Sequence, residues 1–231
     1  MLAFPSNDQL LLVEEISHRV LNQYAIAVAS IGVEASCITD EDARAVLERA
    51  ASRLIAQANA HRALQPPAFV GDVDLGAYLG RLCAALYDAM LCDGGVKLTL
   101  AHDQIDLAAE RCWRVGLIFV ELMTNSCRHG FKGGGGTIVA EVRLVGSEVQ
   151  CRVADDGGSL PDPSASRGRR VIEGLARELG GEVSWDFDTS GVAAALSFPL
   201  RFDSVAPMDP AVETARGASC EASCVPGLTG A

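Results

Sequence analysis

Four stretches of the chain carry side chains whose type and spacing could do chemistry. In EEISHRVLNQ, Glu14 to Gln23, His18 is followed at once by Arg19, and Asn22 stands three residues further on. Counted from Val13 at about 100° per residue, His18 points roughly 140° away from an apolar stripe, so its imidazole faces solvent. An imidazole near neutral pH offers an unprotonated ring nitrogen, and a phosphoramidate formed there is a reactive phosphoryl donor. Taken alone, an exposed histidine on a helix is more often an ordinary surface residue. In GLIFVELMTNSCRHGF, Gly116 to Phe131, the residues Glu121, Asn125, Arg128 and His129 recur at steps of three and four along an apolar helix. A carboxylate and a carboxamide one turn apart can hold a hydrated Mg²⁺ through hard oxygen ligands, and a solvated polar face is the plain alternative. In VADDGGSLPD, Val153 to Asp162, Asp155 closes a strand and Gly157 follows it. A strand-end aspartate can accept from the exocyclic amine of a buried adenine while glycine lets backbone come close; the same residues also make a simple turn. In SRGRRVIEGLARELGG, Ser166 to Gly181, Gly168 stands where a polar loop meets a helix N-terminus, a natural place for phosphate.

The elements that must position these residues are legible in the periodicity. Val13, Ile16, Val20, Tyr24, Ala27, Val28 and Ile31 recur at helical steps, and the break CITDEDAR leads to a second stripe from Ala43 to His61. Thr39 with Asp42 three residues later has the form of a capping box opening that second helix. His61 lies within the stripe and is expected between the helices. The two helices form an antiparallel hairpin whose apolar stripes are wider than one partner can cover. Pairing with a second copy into a four-helix bundle buries both, so a homodimer through the hairpin is expected. The stretch QPPAFVGDVD reads as a connector, giving a division into 1–68 and 69–201. Beyond it come a short helix from Leu75 to Leu91, a strand at VKLTL, a long helix from Leu107 to His129, and paired strands at TIVAEVRLV and EVQCRVAD. A helix at RRVIEGLARELG and strands at EVSWDF and AAALSFPL complete an α+β pattern: a mixed sheet with helices on one face. Residues 202–231 are rich in Ala, Gly, Pro and Ser without periodicity and are expected to be disordered.

Bulk composition narrows the classes. The 231 residues are 49% hydrophobic, enough for a sizeable core, and a net charge of −11 argues against nucleic acid as a partner. The eight cysteines sit mostly alone in apolar patterns, where cysteine acts as a small buried hydrophobe. Cys220 and Cys224 lack the second pair that a zinc site needs. No secretory leader and no apolar run of ~20 residues is present, so a cytoplasmic protein without membrane insertion is expected.

In this order, the four stretches resemble the transmitter core of bacterial two-component sensor histidine kinases, in the branch that includes the HWE kinases, from about Glu14 to Leu200. EISHRVLNQ resembles that branch's phosphoacceptor box, ELMTNSCRHGF its N box, VADDGGSLP its first glycine box, and the segment from Leu175 to Pro199 the close of a Bergerat (GHKL-like) ATP-binding fold. The resemblance implies that His18 accepts the γ-phosphoryl group of ATP, Asn125 helps hold Mg²⁺, and Asp155 reads adenine. Glu121 would serve as a base or orient the reacting group, with Arg128, His129, Gly157 and Gly168 in the nucleotide site. It implies transfer onward to an aspartate of a response-regulator receiver domain. The pattern departs from the family in several places: Leu21 and Gln23 in the phosphoacceptor box, Val120 before the glutamate, Ser159 in the first glycine box, and Ser166, Arg167 and Arg169 in the second. A side chain near phosphate obstructs it, whereas added arginines can hold a triphosphate. Two functions therefore stay open: a kinase, and a histidine phosphotransfer or phosphatase-like protein of the same architecture with a degenerate ATP site. A regulatory module resembling anti-sigma factors would have no use for the hairpin with its exposed histidine.

Overall fold

The structure, a computed structural model, describes residues 7–66, 71–91, 94–131, 135–157, 167–188 and 191–201. The expected disordered tail, with Cys220 and Cys224, lies outside the described residues, as do Ser159 and Ser166. The chain opens with two long helices, α1 (Asn7–Cys37) and α2 (Glu41–Ala63), packed together as a hairpin. Their shared inner face is built from Ser17, Val20, Tyr24, Ala27, Val28, Ile31 and Ala35 of α1 and from Leu47, Ala50, Leu54 and Ala58 of α2. The cap of α2 differs from the expected one. Asp40, not Thr39, precedes the first turn, and its Oδ1 accepts from the Ala43 N–H at 3.0 Å. The residue directly before the helix is the one whose short side chain reaches the third amide, which places Thr39 one position too early.

A two-stranded antiparallel ribbon, β1 (Asp72–Asp74) with β3 (Asp106–Ala108), starts the second region and launches two of its helices. Asp74 ends β1 and caps α3 (Leu75–Leu86) by accepting from Gly76 N–H at 3.0 Å. β3 runs directly into α4 (Ala109–Asn125). Leu107, expected to begin that helix, instead pairs with Val73 in the ribbon, and the helix starts two residues later. The main sheet has five strands in the order β2 (Val96–His102), β4 (Gly136–Val145), β5 (Glu148–Asp155), β7 (Gly191–Pro199) and β6 (Glu182–Asp188). Among the described strands, β2 and β4 are the pair that runs parallel, as their connection through α4 requires.

Strand alternation sorts the sheet into two faces. Ile138, Ala140 and Val142 of β4, Val149, Cys151 and Val153 of β5, and Ala194, Leu196 and Phe198 of β7 are buried. They meet Val115, Ile118, Phe119 and Leu122 of α4, Leu75, Leu79 and Leu82 of α3, and Ile172 and Ala176 of α5 (Arg167–Glu178). The other face carries Glu141, Arg143, Gln150, Arg152, Ser184 and Ser197. The expected architecture, a helical hairpin followed by a mixed sheet with helices on one face, is the one observed. The hairpin is joined to the sheet region where α2 lies against α3, and Trp113 Nε1 of α4 donates to the Leu64 carbonyl at 2.9 Å. His61 sits half-buried near that end, and its Nε2 is buried without a hydrogen-bond partner among the described residues. No helix among the described residues is long and apolar enough to cross a membrane.

α4 and α5 are locked by a nearly buried cation. The Arg114 side chain is 7% exposed; its Nε donates to Glu178 of α5 at 3.0 Å and its Nη2 to Glu110 at 3.2 Å. Arg114→Ala removes both bonds and the packing of the arginine stem. It is expected to lower the unfolding free energy by about 2–3 kcal/mol in urea denaturation. A change below about 0.5 kcal/mol, the level of an ordinary surface substitution, would show that the pair does not hold the two helices.

Candidate functional site

The sequence-predicted residues divide among three places. On α1, the side chain of His18 is 60% exposed, and its Nε2 lies 3.6 Å from Glu14 Oε1 one turn earlier. Glu15 and Arg19 form the neighbouring pair, at 2.8 Å. Asn22, one turn after His18, is exposed as well. The expectation that this imidazole faces solvent is met, because the helix turns Ser17, Val20 and Tyr24 toward α2 instead.

The second place is where the end of α4 meets the end of β5. Glu121 and Asn125, one turn apart, are both half-buried on the last turns of the helix. At Ser126 the chain leaves α-helical geometry for a π-helical turn, Ser126–Gly130. Such widened turns occur where a helix must present a particular side chain. The helical spacing therefore holds from Glu121 to Asn125 and stops there. Arg128, expected on the same face, is exposed on the widened turn; the side chain of His129 lies outside the described residues.

The turn brings Ser126, 7% exposed, to Asp155, 9% exposed at the end of β5. The Ser126 hydroxyl donates to Asp155 Oδ2 at 2.6 Å, with the Leu122 carbonyl at 3.3 Å as its second neighbour. The Gly157 N–H donates to Asp155 Oδ1 at 3.1 Å. Both carboxylate oxygens are thus fixed by protein donors in a site that water barely reaches. Burial, reinforced by the Asp155 charge, pushes the neighbouring Cys127 thiol above its ordinary range. Glycine is needed at Gly157, since a Cβ there would stand 2.4 Å from the Cα of Gly130. Gly191, at φ +149°, passes so close to the Asp155 carbonyl that any side chain would collide with it.

The adjacent acid does something else. Asp156 Oδ1 accepts from the Thr137 N–H at 2.6 Å, and its own N–H donates to the Thr137 carbonyl at 3.2 Å. Asp156 is exposed and secures the edge of β4, whereas Asp155 points inward on the face shared with Val149, Cys151 and Val153. Asp155 stands out in the sequence as a strand-end acid, whereas Ser126, Gly130 and the Asp156 link to Thr137 do not. A hydroxyl directly after Asn125 in an otherwise apolar helix was the available signal for Ser126.

At the fourth stretch, Gly168 is half-buried in the first turn of α5, which begins at Arg167. Arg169 lies over aromatic rings of β6, with its guanidinium carbon 5.0 Å from the Trp185 centroid and 5.1 Å from that of Phe187. Those rings stack with centroids 6.0 Å apart and planes within 3°. Arg169 thus joins the start of α5 to the edge strand by cation–π contact.

Comparison with known proteins bears on all of these regions. Residues 15–90 match the family model HisKA_2, described as histidine kinase. The chain is 26% identical over 196 residues to blue-light-activated histidine kinase 2 of Erythrobacter litoralis, covering 80% of this chain and 56% of that protein. It is 24% identical over 197 residues to the sensor histidine kinase PdtaS of Mycolicibacterium smegmatis, covering 81% of this chain and 39% of that one. The chain thus spans about half, or less, of the length of these curated relatives. Among solved structures, the histidine kinase domain of the Erythrobacter litoralis EL346 blue-light-activated kinase superposes with a TM-score of 0.54 at 21% identity, covering 78% of this chain and 96% of that one. A bacterial phosphotransferase superposes with a TM-score of 0.58 at 11% identity, covering 84% and 98%. Similarities at these identities establish a shared fold.

Proposed function

We propose, for a chain whose residues 15–90 match the HisKA_2 histidine kinase model, that it phosphorylates itself on His18 from ATP and passes the phosphoryl group to an aspartate of a response-regulator receiver domain. The observation that carries this reading is a pair of opposite environments on one chain: an imidazole left 60% exposed on α1 and a carboxylate left 9% exposed at the end of β5. A nucleophile that must meet two different phosphoryl partners needs the first, and recognition of a purine amine needs the second.

The residues present fit the nucleotide and its metal. Asp155 offers fixed acceptor oxygens beside the closely packed backbones of Gly130 and Gly157, and Asn125 with Glu121 offers hard oxygen ligands one turn apart. When bound, ATP with Mg²⁺ would supply the transferable γ-phosphoryl group and neutralise its charge. Asp155 would accept from the adenine amino group and so fix where the triphosphate lies. His18 would attack with its ring nitrogen, forming the N–P bond as the bond to the β,γ-bridging oxygen breaks and ADP leaves with that electron pair. Glu121 would take the imidazole proton or orient the group that does. In this reading 1–68 is the phosphoacceptor and dimerisation unit, and 69–201 is the nucleotide-binding unit.

The reading is tested by adding γ-labelled ATP and Mg²⁺ to the purified protein, then chasing with purified receiver domains. Label should appear first on the protein and then move to a receiver. Absence of the first step would sink the kinase reading. A second reading, a histidine phosphotransfer protein on the same scaffold, is favoured by Arg169: its side chain is engaged with Trp185 and Phe187, in a box that in the family is made of small and apolar residues. Acceptance of phosphate from a phosphorylated receiver, with no labelling from ATP, would decide for it.

Dimerisation is part of the proposal. Leu12, Ile16, Ile26 and Val33 of α1 are between 52% and 63% exposed, outside the buried centre of the hairpin. Burying such side chains against a second hairpin removes them from water, and the family's dimeric plan supplies the partner. Ile26→Glu combined with Val33→Glu is expected to convert a dimer into a monomer in light scattering at micromolar protein. A wild-type protein that is already monomeric there would remove this part of the proposal.

A further inference from the structure

We infer that Ser126 is a specificity-determining positioning residue for the nucleotide base: its hydroxyl holds the Asp155 carboxylate in the orientation that receives a purine 6-amino group. The inference rests on the reading of Asp155 as the adenine acceptor and adds a residue that this reading does not require.

Three observations point to it. The Ser126 hydroxyl and the Asp155 carboxylate are among the few buried polar side chains of the described residues, and they are bonded to each other at 2.6 Å across 29 positions of sequence. The donation runs in one direction. The carboxylate accepts only, so the single hydroxyl proton is committed to Oδ2, and the Gly157 N–H is committed to Oδ1 at 3.1 Å. Two donors on two oxygens fix the plane of the carboxylate, and the remaining lone pairs then point in set directions. A carboxylate oxygen has about two acceptor positions, so each oxygen keeps one for a ligand. The local backbone is also arranged to deliver this hydroxyl. The π-helical turn begins at Ser126, and a Cβ on Gly130 in the same turn would approach Asp155 Oδ1 to 3.2 Å. The turn therefore packs against the carboxylate at both ends, with a donor at one and open backbone at the other.

Without the hydroxyl, Asp155 keeps Gly157 as its one donor among the described residues, and its side chain gains rotational freedom about its last bond. The carboxylate would still accept from an amine, but it would have to be ordered by the ligand itself, and that ordering is subtracted from the binding of the amino group. A merely structural serine would act otherwise. Its loss would loosen the site for every nucleotide alike.

The test is the affinity of wild type, Ser126→Ala and Asp155→Asn for two probes, ATP and purine riboside 5′-triphosphate, which differ only by the 6-amino group. Wild type is expected to prefer ATP by roughly tenfold to a hundredfold, the range for a hydrogen bond to a charged group. Ser126→Ala should reduce that preference about fivefold or more, a coupling that the ratio isolates from any general loss of binding. A wild-type ratio in Ser126→Ala alongside a collapsed ratio in Asp155→Asn would overturn the inference and leave the Asp155 reading standing. A wild-type protein indifferent to the amino group, or an Asp155→Asn ratio equal to wild type, would overturn the Asp155 reading and this inference with it.

Discussion

His18→Ala is expected to abolish phosphorylation of the protein, by at least about a thousandfold in labelling rate, while leaving its unfolding midpoint within about 1 °C of wild type. The first part follows from nucleophilic chemistry: alanine has no lone pair to form the N–P bond. The second part follows from exposure. The ring is 60% exposed, and its contact with Glu14 is a surface pair of 3.6 Å between two solvated groups, worth little in water. Alanine is also the better helix former, so α1 loses nothing locally. Differential scanning fluorimetry on the same preparation that is used for labelling separates the two. A large fall in the midpoint would make His18 a structural residue of the hairpin.

The second large effect concerns the paired acids. Asp155→Asn should weaken ATP binding about tenfold to a hundredfold in calorimetry, because an amide presents one acceptor oxygen and no charge to the purine amine. Asp156→Ala, one residue away, should leave ATP affinity within about twofold and instead lower stability by about 1 kcal/mol through the lost bond to the Thr137 N–H. Equal effects of the two substitutions on affinity would contradict the separate roles that their geometry assigns.

These two acids also show how far the sequence could be read and where it stopped. Strand alternation through Val149, Cys151 and Val153 puts Asp155 on the covered face and Asp156 on the open one, so the choice between identical neighbours was already in the pattern. The exposure of His18 was equally present in the 3.6-residue period of α1. The hairpin, the strands of the main sheet and the helices on one face followed from the same periods. What the periods could not carry were features made by contacts distant in sequence. β1 and β3 are three residues each, too short to alternate, and exist because Val73 meets Leu107 across the ribbon. The π-helical turn at Ser126 keeps the composition of a helix and changes only its hydrogen bonding, so the spacing from Glu121 to Arg128 read as one face when it was not. Ser126 carried only the slight local signal of a hydroxyl after Asn125, and nothing near it announced a partner 29 residues away. Arg169 read either as an obstruction to phosphate or as a cation for it, and nothing in its own stretch announced Trp185 and Phe187.

The most direct test of the central claim is to incubate the protein with γ-labelled ATP and Mg²⁺, digest it at mildly alkaline pH, and locate the phosphoryl group by peptide mass spectrometry. The account predicts one phosphorylated peptide, modified on His18, whose label survives base and is lost in brief acid. Label that survives acid on a hydroxyl residue, or no label in a preparation that binds ATP, would contradict it.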